Sequence, residues 1–173
     1  SDTINVGVNP LPTVGLGPDQ SICDGDTITI SANSGFVSYD WNTGETTSSI
    51  EVSAAGLYSV LVTDSNGCVN DDLIRITVDP LPVVGISSAD TICAGSETTL
   101  SANTGFDTYL WSTGETTNSI IVDAAGIYSV TVSDSNSCSN SASTSVAVAP
   151  NPIVDIISDD TLCIGSALTL EVN

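Results

Sequence analysis

Histidine, lysine and methionine are missing from these 173 residues, and Arg75 is the one base set against 21 acids, for a net charge of −20. Without His or Lys the usual general bases and amine nucleophiles are gone, which argues against an enzyme. Lysine-based isopeptide crosslinks are excluded for the same reason. One cation cannot neutralise a row of phosphates, so nucleic acid and anionic membrane surfaces are excluded as partners. There is no hydrophobic run long enough to span a bilayer and no helical periodicity. Neither initiator Met nor signal peptide is visible, and the chain reads as a window on a longer polypeptide. A hydrophobic content of 40% nevertheless argues for folded structure despite the charge. The acidic surface keeps a long polymer soluble and keeps copies apart until salt or divalent ions screen it.

What is present is a repeat. Residues 39–68, YDWNTGETTSSIEVSAAGLYSVLVTDSNGC, return at 109–138 as YLWSTGETTNSIIVDAAGIYSVTVSDSNSC. On that register Pro10 falls over Pro80 and Pro150, Cys23 over Cys93 and Cys163, Trp41 over Trp111, and Cys68 over Cys138, a gapless period of 70. The expected organisation is a tandem array. Residues 1–9 match the last strand of a preceding repeat, 10–79 and 80–149 are full repeats, and 150–173 supply the first strands of a following one. Completing that last unit by lending residues 1–9 to a neighbour is disfavoured. Together the two segments lack the Trp, both central strands and a bridging cysteine.

Each repeat begins with a stiff joint, Pro10-Leu11-Pro12, Pro80-Leu81-Pro82 or Pro150-Asn151-Pro152, which holds neighbouring units in a repeatable orientation. Residues 13–17 read as an opening edge strand, and Cys23-Asp24-Gly25-Asp26 as a turn. Period-two alternation then turns Ile28, Ile30 and Ala32 inward. Val37, Tyr39 and Trp41 share a face on the next strand, followed by Ile50 and Val52, then Tyr58, Val60 and Val62, and finally Ile74, Ile76 and Val78. The triplets Ile4, Val6, Val8 and Thr144, Val146, Val148 keep that last parity. Seven or so short strands with Gly and Asn turns predict an all-β fold of tandem sandwiches.

A 70-residue unit is small enough to need a covalent staple. Cys23 with Cys68 and Cys93 with Cys138 share one 45-residue spacing. The expected disulfides are therefore within each repeat, with Cys163 pairing beyond the visible chain. Persistent disulfides place the protein outside the cytoplasm.

At Gly56-Leu57-Tyr58-Ser59-Val60 and Gly126-Ile127-Tyr128-Ser129-Val130 the pattern resembles the tyrosine corner of immunoglobulin-like domains, with Val60 and Val130 where an antibody domain carries its second cysteine. The expected bridge has moved from between the sheets to the loops at one end of the sandwich. The whole unit, with its IC-x-G opening, Y-x-W-x-T-G-E-T-T centre, A-A-G-x-Y-S-V and D-S-N-x-C, resembles the immunoglobulin-like or PKD-like tandem repeats of large secreted surface proteins of Bacteroidetes. That resemblance implies export, by the type IX route, and a place in adhesins, gliding-associated surface proteins or extracellular filaments. It also implies O-glycosylation at D-(S/T)-aliphatic motifs, which here are centred on Thr3, Thr27, Thr91 and Thr161. The competing reading is that Asp-Thr simply suits a strand entrance.

Only two acidic positions recur in both full repeats, Glu45 with Glu115 and Asp64 with Asp134, and turn chemistry explains each. No cofactor is required. Calcium is the ion an Asp-rich surface could hold, and Asp19, Asp24 and Asp26 with Asp64 form the candidate ligand set. The second repeat carries Ala89, Ala94 and Ser96 in place of the first three. Phe36, Tyr39 and Trp41, with Phe106, Tyr109 and Trp111, could stack on sugars, but their parity favours core packing. The sequence thus predicts an extracellular rod or filament of disulfide-stapled immunoglobulin-like units, acting as stalk, spacer or fibre. Its partners are further copies of the repeat, neighbouring filaments and covalent glycans. The alternative is an adhesin segment that binds glycan or calcium.

Overall fold

The computed structural model describes residues 2–4, 7–87 and 90–153. All regular structure among them is β, in thirteen strands. The chain forms two compact units, Ser1–Val83 with Ser133–Asn140, and Val84–Val132 with Ser141–Asn173.

In the first unit, β1 (Gln20–Cys23), β3 (Ser38–Trp41), β5 (Gly56–Thr63) and β6 (Val69–Asp79) form one sheet in the order β1-β6-β5-β3. β2 (Ile28–Ser31) and β4 (Ser49–Val52) pair antiparallel to form the other. The core lies between them. Alternation places Ile30, Ile50 and Val52 of one sheet against Trp41, Tyr58, Val60, Val62, Ile74 and Ile76 of the other, all buried. Val37 departs from the expected face. It precedes β3 and is 71% exposed, its amide donating to the Thr63 carbonyl at 2.8 Å.

In the second unit the strands are β7 (Ile86–Ser87), β8 (Thr91–Cys93), β9 (Thr98–Ala102), β10 (Thr108–Trp111), β11 (Ser119–Val122), β12 (Gly126–Ser133) and β13 (Ser139–Ala149). They form sheets in the orders β10-β12-β13-β8 and β11-β9-β7. Leu100, Ile120 and Val122 pack with Trp111, Val130, Val132 and Val146. Thr144 is half-buried and Val148 exposed, so the last-strand parity weakens toward its end.

The opening segment behaves differently in the two repeats, for a reason written in one residue. Residues 13–17 form no strand. Leu16 is buried, but its amide is taken by the Asp72 carboxylate at 2.8 Å rather than by a ladder. The position equivalent to Asp72 is Ala142, and there Ile86 and Ser87 pair with Ala102 and Ser101 of β9.

The tyrosine corner forms as the G-x-Y pattern implied. Tyr58 Oη donates to the Ala54 carbonyl at 2.9 Å and Tyr128 Oη to Ala124 at 3.0 Å, while Val60 and Val130 are fully buried. The T-G-E-T-T segment closes around the tryptophan. The Gly44 amide reaches the Trp41 carbonyl, the Trp41 amide reaches Glu45, and the indole N–H is received by Thr47 at 2.7 Å. Thr117 receives that of Trp111 at 2.9 Å. The second proline of the first two joints, Pro12 and Pro82, is buried. Asn70 and Asn140 each donate from Nδ2 to its carbonyl at 2.9 Å, tying each of these prolines to its own repeat. The chain is a pair of immunoglobulin-like β-sandwiches.

Candidate functional site

Cysteines mark the two ends of the long last strand. β1 runs parallel to the C-terminal part of β6, which sets Cys23 opposite Asp79. The Asp24 amide donates to the Asp79 carbonyl at 2.8 Å, and the Asp26 amide closes the turn on the Cys23 carbonyl at 2.9 Å, around Gly25 at φ 92°. Cys68 lies at the other end. Asp64 Oδ1 receives the amides of Asn66 at 2.8 Å and Cys68 at 2.9 Å, fixing the β5–β6 hairpin, and Cys68 immediately precedes β6.

This geometry corrects the expected pairing. β6 is 11 residues long. At about 3.3 Å per residue, Cys23 and Cys68 stand roughly 35 Å apart along it, whereas a disulfide requires Cα atoms within about 7 Å. Cys23 is instead bonded to Cys138, with the Cα atoms 5.5 Å apart and 115 residues between them in sequence. The Cys93–Cys138 pairing fails for the same reason, because Cys93 lies opposite Ala149 at the far end of β13 while Cys138 immediately precedes that strand. Cys68, half-buried, and Cys93, exposed, are free thiols. The equal 45-residue spacing therefore does not identify the bonded pair. What spacing did not display is the parallel β1–β6 pairing, which carries Cys23 away from its own hairpin. Cys163 lies outside the described residues.

The carboxylates proposed for calcium do not converge. Asp64 is at the hairpin end of β6, while Asp24 and Asp26 lie at the end near Asp79. Asp19 is held apart from them by its own bond, Oδ1 receiving the Arg75 amide at 2.9 Å. Among the described residues no group of three or more His, Cys, Asp or Glu side chains is arranged to hold a metal ion.

The tryptophans are core residues, each only 2% exposed, which removes them as sugar platforms. Phe36 and Tyr39 meet edge to face at 5.8 Å, as do Phe106 and Tyr109 at 5.9 Å, and pack against the two cores. A shallow groove of about 510 Å³ in the first unit is walled by Ala55, Leu57, Arg75, Ile76 and Val78, and its lining contains no carboxylate. Thr3, Thr27 and Thr91 are exposed, and Thr161 lies outside the described residues. Among the described residues no helix is long and apolar enough to cross a membrane.

No protein-family model matches the chain, and no curated protein matches it. Solved structures similar to it include proteins of immunoglobulin domains such as the Dscam1 N-terminal four-domain fragment and Sidekick-1. The insect immune protein hemolin, described with a domain arrangement bearing on homophilic adhesion, aligns at 15% identity and a TM-score of 0.38, covering 79% of this chain and 46% of hemolin. The I67–I69 fragment of the titin I-band aligns at 11% identity and a TM-score of 0.39, covering 80% of this chain and 65% of the fragment. A calcium-stabilised adhesin, with which an Antarctic bacterium reaches out and binds ice, aligns at 21% identity and a TM-score of 0.42, covering 81% of this chain and 50% of the adhesin. This chain thus spans about half the length of the hemolin and adhesin structures.

Proposed function

We propose that this chain is a stretch of an extracellular rod or filament, built of immunoglobulin-like units in series and acting as stalk, spacer or fibre, without catalytic activity. The observation that carries this reading is the Cys23–Cys138 bond, which fastens one 70-residue repeat covalently to the next. Proline joints with asparagine-anchored carbonyls, and an acidic surface that repels lateral clumping, support it further. The resemblance to Bacteroidetes surface repeats supplies the setting of export and cell-surface display. In that setting Thr3, Thr27, Thr91 and Thr161 carry O-glycans, and an intact mass equal to the bare polypeptide less its disulfide hydrogens would remove them. Small-angle scattering tests the reading. An elongated particle with a maximum dimension well beyond that of a globule of equal mass is expected, and a compact one contradicts it. Heat released on titration with glycans or calcium would favour an adhesive segment instead.

A further inference from the structure

The bond seen once, between Cys23 and Cys138, has the form of a rule. Cys23 is an opening-turn cysteine and Cys138 a hairpin cysteine, and their separation of 115 is one period of 70 plus the 45 residues between the two kinds of cysteine within a repeat. Both kinds recur in the same local geometry. The opening turns match: Asp24 donates to Asp79 at 2.8 Å and Ala94 to Ala149 at 2.8 Å, while Asp26 donates to Cys23 at 2.9 Å and Ser96 to Cys93 at 3.0 Å. The hairpins match too, since Asp64 and Asp134 each receive the amide of the following cysteine at 2.9 Å. Only the bonding differs. Cys138 is 1% exposed beneath its disulfide, whereas Cys68 is half-buried and Cys93 exposed, both as thiols.

We propose that Cys68 and Cys93 are the two halves of this same link, each completed by another copy of the repeat. The opening-turn cysteine of every repeat bonds the hairpin cysteine of the repeat after it, so Cys93 takes a following hairpin cysteine and Cys68 a preceding opening-turn cysteine. Within one polypeptide those partners lie 115 residues downstream of Cys93 and 115 upstream of Cys68, outside these 173 residues. Between separate copies of this chain, Cys93 of one meets Cys68 of the next. The array is then held by a continuous series of cystines, each joining one 70-residue repeat to the next, and no repeat closes a disulfide on itself. The chemistry is thiol–disulfide exchange with an oxidised glutathione-type disulfide. The Cys93 thiolate attacks it, one S–S bond breaks, and one glutathione thiolate leaves. The Cys68 thiolate then attacks the Cys93 sulfur of the mixed disulfide, the second glutathione leaves, and the two thiol protons pass to the two leaving groups. The oxidant takes up two electrons.

This inference rests on the serial-array reading, and the two fail separately. Native protein, thiol-blocked on isolation, is digested without reduction by an Asp-specific protease, because Arg75 offers the sole tryptic site. Expected are Cys68 in a peptide joined to an opening-turn cysteine, Cys93 joined to a hairpin cysteine, and no blocked thiol at either. Recovery of Cys68 or Cys93 as a blocked thiol, or of Cys68 joined to Cys23, overturns the link while an elongated scattering profile leaves the array standing. A compact particle overturns both. The source of the partner is read by refolding light and heavy-isotope copies of the 173-residue Cys163→Ser chain together in a glutathione buffer. Linked Cys93–Cys68 peptides with one half of each isotope assign the partner to a separate copy. Copies that stay monomeric, with the native linkage intact, assign it to further repeats of the same polypeptide. If separate copies do link, C68S and C93S chains each remain monomeric alone and mix to give only a dimer.

Discussion

Ser137 occupies, at φ 66°, the backbone position that Gly67 occupies at φ 79° in the preceding repeat. Both stand just before a hairpin cysteine, where the Asp64 or Asp134 carboxylate folds the chain back on itself. A side chain in this left-handed region costs roughly 1 kcal/mol, which glycine avoids. Ser137→Gly is therefore expected to stabilise the protein by about 1 kcal/mol, and Gly67→Ser to destabilise it by a similar amount. Urea unfolding of both variants checks this, with opposite midpoint shifts at unchanged m-value the expected result.

Removing the corner hydroxyls should cost unequal amounts. Tyr58 is buried and its bond to Ala54 partly shielded, whereas Tyr128 is only half-buried and its bond to Ala124 exposed. Leaving the Ala54 carbonyl without its donor is expected to cost about 1 to 2 kcal/mol in Tyr58→Phe. Tyr128→Phe should cost less. Thermal unfolding of the two single variants orders them, and an equal or reversed order would contradict the difference in burial.

The tryptophans report core integrity. Trp41→Ala removes a fully buried ring and the donor to Thr47, with an expected loss of about 3 to 5 kcal/mol. In the intact protein, acrylamide quenching of tryptophan fluorescence is expected to be weak, and added glycans should leave the emission unchanged. Strong quenching would place the rings at the surface.

Calcium should act on this molecule as a screening ion. The carboxylates of Asp19, Asp24, Asp26 and Asp64 do not meet at one point, while the net charge of −20 favours expansion at low salt. Sodium chloride is expected to raise the melting temperature from low ionic strength and then to plateau. At physiological salt a chelator should leave the transition in place, and a clear fall would reveal a bound ion.

Much of the fold was legible because its signals are local. Alternation placed Ile30, Ile50, Val60 and Ile74 in the core, and the G-x-Y spacing placed Tyr58 within reach of Ala54. Gly44 and Gly67 marked turns through the positive φ, 99° and 79°, that glycine tolerates. What escaped depends on partners distant in sequence. Nothing near Leu16 announces that Asp72 will take its amide, 56 residues away. Nothing near Cys23 announces a parallel run beside Ile76 to Asp79. Since parallel pairing reverses which end of β6 an opening cysteine reaches, the disulfide assignment turned on that one register. The two cysteines of one repeat lie at opposite ends of its last strand, and Cys23 is bonded instead to Cys138 of the following repeat.

A disulfide map of the 173-residue Cys163→Ser chain, digested without reduction, is the most direct measurement. Expected is a peptide pair joining Cys23 to Cys138, dissolved by reductant with a loss on the order of 4 kcal/mol in stability. A pair joining Cys23 to Cys68, with Cys93 joined to Cys138, would mean that each repeat fastens itself, and would contradict covalent linkage of one repeat to the next.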